Sequence, residues 1–355
     1  MKKTSKLFSA VAISAALTFT LNAQSISITN TFGGDPDNLA GTDFLVFDKD
    51  GDKEDVHVSD RLQLDVTSEH IDSRVRLDFD SSADKSGRGT NVRTRGYVNL
   101  RPVEPLNIIA GNAFFTKWAM DQGYLAAFDD NLDNSKLCGS NGAALLFNMA
   151  GLQLAAGTGY ESKLNLNLGL SYTMEDLFAI GATAQNMTDK ARSITAYAGL
   201  LAVENLTVNA GYSYHKEEDD YLSACEHGAI LSVAYTFADL GLTLAADGLF
   251  DITGKKYDSD ADEVVDNKDE KGNKFNAFSA AVFASYGIND NLTIMCRTGV
   301  TNNLTNSLTW AVYPFFEYGT TLGTFSSGLR FLFDEDDGFS GFSIPFTWKY
   351  KFKVM

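Results

Sequence analysis

Seven of the ten arginines in this 355-residue chain fall between residues 61 and 101. Six of them, Arg61, Arg74, Arg76, Arg93, Arg95 and Arg101, stand in segments that alternate polar and apolar side chains. Arg74 and Arg76 share a face with Asp78, while Val75, Leu77 and Phe79 take the other. Arg93, Arg95 and Arg101 share a face with Tyr97 and Asn99, opposite Val92, Val98 and Leu100. Arg61 keeps company with Gln63 and Asp65. A strand sends successive side chains to opposite faces, so parity gathers all six guanidiniums on the wet face of consecutive strands. A patch of this kind makes and breaks no bonds; it selects by charge. The plainer alternative is that the arginines pair with Asp65, Asp72, Asp78 and Asp80 and only line a wall.

Other chemistry is thinly supported. Asp48, Asp50 and Asp52 have the spacing of the first ligands of a calcium loop, but Lys53 replaces the needed glycine and Ser59 the terminal glutamate. Asp258, Asp260 and Asp262 form a second acidic run, also without that glycine. A solvated acidic loop explains both runs more simply, and no resident metal or cofactor is expected. His57, His70, His215 and His227 lie apart from one another at non-metal spacing. No phosphate loop, dinucleotide fingerprint or nucleophile elbow occurs. Ser213–His215 and Ser223–His227 are proximities that chance supplies in a serine-rich chain, so an enzyme is not expected. Three cysteines, Cys138, Cys225 and Cys296, are too few and too odd in number for a disulfide framework.

The elements that must carry these residues are strands. Leu164, Leu166, Leu168, Leu170 and Tyr172 alternate with Asn165, Asn167, Gly169 and Ser171, and similar rows recur along the chain. Tight turns are expected at 68–70, 102–105, 149–151, 174–176, 202–205, 238–240, 287–291 and 319–321. Several share one form, a turn residue followed by Leu, a polar residue and an aliphatic one, as in Gly151-Leu152-Gln153-Leu154 and Asn205-Leu206-Thr207-Val208. The intervening connections at 33–57, 81–91, 117–140, 216–226 and 252–274 are longer and charged; three others are short. Short turns at one end and long loops at the other mark an up-and-down barrel of about 16–18 strands, with eighteen counted here.

The last strand shows what its outer face meets. Phe342, Ile344, Phe346, Trp348, Tyr350, Phe352 and Val354 occupy every second position, with Ser343, Pro345, Thr347, Lys349, Lys351 and Lys353 between them. At the other end, Lys2, Lys3 and Lys6 precede an apolar stretch from Leu7 to Leu21 and a small-residue site before Gln24. This predicts a removable export signal over residues 1–23 and a single barrel domain over 24–355. No later apolar run is long enough for a membrane helix. The signal carries three lysines and no acid, so the remaining chain has 26 basic residues against 46 acidic, a net charge near −20. Nucleic acid is excluded as a natural partner. Export, aromatic alternation and glycine turns together point to an all-β transmembrane barrel in a bacterial outer membrane, with lipid around it. A charge facing lipid at mid-depth costs about 2–4 kcal/mol, so the arginines are expected on the inner wall.

In this arrangement the chain resembles general bacterial porins. The resemblance implies that the third outer loop folds into the barrel and sets acids against an arginine ladder. The matching parts are the six arginines and Asp121, Asp129, Asp130 and Asp133 of the 117–140 loop. It also implies an eyelet that filters by size and transverse field, and assembly as a homotrimer. The terminal strand is similar to the signal read by the outer-membrane assembly machinery, although Met355 stands where that signal ends in Phe.

The reading is therefore a diffusion porin for ions and small hydrophilic solutes. Acidic loops at the mouth favour cations, and the arginine patch opposes them. The rival is a surface adhesin or structural barrel acting through its loops, with a secreted β-sandwich as a third reading.

Overall fold

The computed structural model describes residues 25–33, 45–50, 53–84, 87–112, 142–160, 164–189, 192–216, 227–251, 278–301, 308–335 and 338–353. The expected export signal, Asp52, and the acids at 121–133 and 258–262 lie outside them. Twenty-one strand segments form one continuous antiparallel sheet. Three strands are built from two segments each, which gives a closed barrel of eighteen.

Strand β1 is Ser25–Gly33 continued by Leu45–Asp48, because both segments pair with the same neighbour in the same direction. Then follow β2 (Lys53–Thr67), β3 (Ile71–Asp84), β4 (Gly87–Val103), β5 (Leu106–Asn112) and β6 (Gly142–Met149). The middle of the wall holds β7 (Leu152–Tyr160), β8 (Leu164–Met174), β9 (Phe178–Gln185), β10 (Arg192–Leu200), β11 (Leu206–Lys216) and β12 (His227–Phe237). The remainder is β13 (Leu242–Asp251), β14 (Phe278–Asn289), β15 (Leu292–Thr301) and β16 (Thr309–Thr320), then β17 (Gly323–Gly328 and Arg330–Asp334) and β18 (Gly338–Ile344 and Phe346–Lys353). Each strand pairs with the next in sequence. The barrel closes where β18 meets β1, with Ser27 opposite Lys353 and Phe32 opposite Trp348.

All eight expected tight turns lie at one rim, between consecutive strands. The repeated turn residue has a backbone reason. Gly151, Asn205 and Gly241 adopt φ of 82°, 62° and 62°, a region open to Gly and tolerated by Asn. Ala150 and Gly151 both have positive φ between the paired Met149 and Leu152, the two-residue hairpin geometry that matches strand twist.

Two expected loops are shorter than the sequence suggests. Within 33–57, Leu45–Asp48 and the start of β2 are strand. Within 81–91, β3 runs to Asp84 and β4 begins at Gly87, with Val56 paired to Ala83 and Ser82 to Gly89. Here the sequence puts polar residues at both parities, so the period-2 signal disappears. The last strand is likewise broken at Pro345, which has no N–H for the ladder.

The two faces of the wall have opposite character. Outward apolar side chains are bare: Leu145 is 52 % exposed, Leu170 51 % and Val282 52 %. Many inward side chains are small, polar and shaded by the concave wall, with Ser279 at 1 %, Thr183 at 3 % and Asn167 at 5 %. A soluble sheet protein arranges these classes the other way. Only a hydrocarbon surround makes such an outer face favourable, and closure leaves no strand edge unpaired within it.

Candidate functional site

The inner wall from β18 through β4 is built in levels, because residues opposite each other in an antiparallel pair share a face. One level runs Lys349–Thr31–Arg61–Asp78–Arg93 across five strands. The next runs Lys351–Thr29–Gln63–Arg76–Arg95. A third runs Lys353–Ser27–Asp65–Arg74–Tyr97. The alternation Leu62, Leu64 and Val75, Leu77, Phe79 fixes the arginine side of each strand as the inner one. The side chains of Arg95 and Lys353 lie outside the described residues.

Four of the arginines pair with acids of the same wall. Asp78 accepts from Arg61 at 2.8 Å and from Arg76 at 2.7 Å. Arg74 reaches Asp65 at 2.5 Å and lies with its guanidinium carbon 5.7 Å from the Tyr97 ring centre. Arg101 grips Asp72 with both terminal nitrogens, at 2.5 and 3.0 Å, and donates to the Ser68 and Glu69 carbonyls of the adjacent turn. Arg101 thus anchors the rim. These pairs are partly solvated, so each contributes about 0–1 kcal/mol to stability. Their larger effect is to fix the direction of each fork. Arg93, Lys349 and Lys351 make no ion pair among the described residues.

Seven described cations (Lys349, Lys351, Arg61, Arg74, Arg76, Arg93 and Arg101) therefore face three acids (Asp65, Asp72 and Asp78), a surplus of four positive charges. At the foot of this wall a polar recess of about 320 Å³ lies between Asp65, Asp72, Arg74, Tyr97 and Lys351. Asp50 sits in the turn after β1; among the described residues no cluster of acids, histidines and cysteines could hold a metal.

Sequence reasoning found the arginines but not the lysines beside them. The wet-face lysines of β18 were visible, yet only closure of the last strand on the first brings them to the patch. A second inner cluster was also missed. Arg297 of β15 is buried, its guanidinium carbon 5.4 Å from the Phe283 ring and 5.6 Å from that of Phe315, with Tyr313 stacked on Phe315. It joins three consecutive strands through flat contacts that a period-2 pattern does not foretell.

No protein-family model matches the chain, and no curated protein matches it. Solved structures do. The Pseudomonas aeruginosa outer membrane protein OpdK superposes with a TM-score of 0.61 at 13 % identity, over 93 % of this chain and 99 % of its own. OprD of the same organism gives 0.58 at 12 %, over 94 % of each chain, and Acinetobacter baumannii OccAB4 gives 0.60 at 8 %, over 94 % and 99 %. At these identities the likeness is one of fold, and it extends over the whole barrel.

Proposed function

We propose that this chain is a channel of a bacterial outer membrane, passing ions and small hydrophilic solutes by diffusion. The observation that carries this reading is the inverted polarity of a closed eighteen-strand wall. Its outer face suits hydrocarbon, and a barrel of this size leaves a lumen too wide for its own side chains to fill. Likeness of fold to the outer membrane proteins OpdK and OprD supports it. No chemical step is involved. Solutes are selected by lumen width and by the field of the wall.

The positive surplus on β18 and β2–β4 favours anions, against the expectation drawn from the acidic loops alone. In the same reading Asp121, Asp129, Asp130 and Asp133 narrow the lumen opposite the arginines, residues 1–23 are removed on export, and the copies assemble as trimers. The test is single-channel recording of the refolded mature chain in a planar bilayer. Large stable steps are expected, with a reversal potential in a salt gradient of the anion-selective sign. A folded barrel that stays silent would reject the channel and leave the surface-binding barrel as the better account.

A further inference from the structure

Eight arginines have described side chains, and seven of them point into the barrel. Arg192 points out. It opens β10, where Ser193, Thr195 and Tyr197 are buried on the inner face and Ile194, Ala196, Ala198 and Leu200 take the outer one. Arg192 is exposed and has no hydrogen bond or ion pair among the described residues. Its register partner is another basic residue, Lys216 of β11. The Lys216 side chain lies outside the described residues.

The next level on the same outer face is Ile194, Tyr214 and His227. The Tyr212 hydroxyl bonds His227 Nδ1 at 2.5 Å, and the Tyr214 ring centre is 5.1 Å from that of His227. Polar groups are thus fixed one level below the arginine on a largely apolar face. Height matters as well. Arg192 stands eight residues above Leu200, about 26 Å along the strand and roughly 20 Å along a barrel axis tilted by about 40°. The apolar band of such barrels is about 25 Å tall, so a band that begins at the Leu200 turn ends about 5 Å above Arg192, within reach of its long side chain.

We infer that Arg192, with the Tyr212–Tyr214–His227 group one level below it, is an outward-facing seat for a phosphate headgroup of a membrane lipid. The planar guanidinium fork binds phosphate with two parallel bonds. The inference rests on the membrane reading of the barrel but not on conduction.

The test is native mass spectrometry of the mature chain in micelles, titrated with phosphatidic acid, phosphatidylcholine or inorganic phosphate. Phosphatidic acid should be retained at least tenfold more tightly than phosphatidylcholine. R192Q should weaken it about tenfold, and R192K should recover part of the loss. Equal retention of the two lipids by the native chain would overturn the site, as would wild-type affinity in an R192Q chain. Displacement of the lipid by equimolar inorganic phosphate would overturn the lipid assignment in favour of free phosphate. Heat-modifiable migration confirms that each variant is a folded barrel. Conduction without lipid preference would sink only this site, and lipid preference without conduction would sink only the channel.

Discussion

Asp78 and Arg93 are opposite each other in register, yet they are tied into the wall differently. Asp78 takes two guanidiniums, whereas Arg93 has no ion pair among the described residues. Removing the carboxylate in D78N should raise the positive surplus of the described wall by one. The reversal potential should then move further towards anions, at a stability cost of about 1 kcal/mol from the two partly solvated pairs. R93Q should move it the other way at almost no cost. Neutralising Arg74, Arg76, Arg93 and Arg95 together should carry it well towards cations. Reversal potentials in a potassium chloride gradient check the signs, and a shift of the same sign in D78N and R93Q would mean that the wall charges do not govern passage. Parity alone placed these arginines inside. It could not say which acid each would find, because that depends on register. Register gives Asp65 to Arg74 and Asp78 to Arg61, while the Arg101–Asp72 grip depends on the irregular turn below it.

The strands were legible where hydrocarbon imposes alternation, and obscure where it does not. The Leu164–Tyr172 row and the aromatic row of β18 need no more than their spacing. The upper parts of β2, β3 and β4 are polar on both faces and look like loop. The backbone constraint at Gly33, the last residue of the first segment of β1, was equally hidden. Gly33 has φ of 110°, and a Cβ there would collide with the Phe346 carbonyl of β18. G33A should therefore cost at least about 1–3 kcal/mol, seen as a lower urea midpoint for refolding into detergent. An unchanged midpoint would show that the two strands can separate at this level. Closure itself depends on β18, which pairs with both β1 and β17. Deleting residues 346–355 exposes two strand edges in hydrocarbon, and the chain should aggregate rather than migrate as a folded barrel.

At the scale of the molecule, the decisive claim is that the outer face meets lipid and the inner face meets water. Leu62 and Gln63 test it with a single step along β2. They are adjacent, at the same height, and on opposite faces; Leu62 is 40 % exposed and Gln63 lies on the level of Arg76 and Lys351. Leu62 is five residues above the turn, about 16 Å along the strand, so it sits near the middle of the apolar band. L62R should then cost about 2–4 kcal/mol when the chain refolds into lipid vesicles. Q63R should cost less than about 1 kcal/mol, since its guanidinium joins a wet wall that already holds Asp65 and Asp78. A secreted β-sandwich makes the opposite prediction. An exposed leucine replaced by arginine on a solvent face is harmless there, and a new arginine among buried polar groups is not. Urea midpoints of the two variants in vesicles, read by heat-modifiable migration, thus measure which side of this sheet is dry, and the channel, its basic wall and its lipid-facing arginine all depend on that side being the outer one.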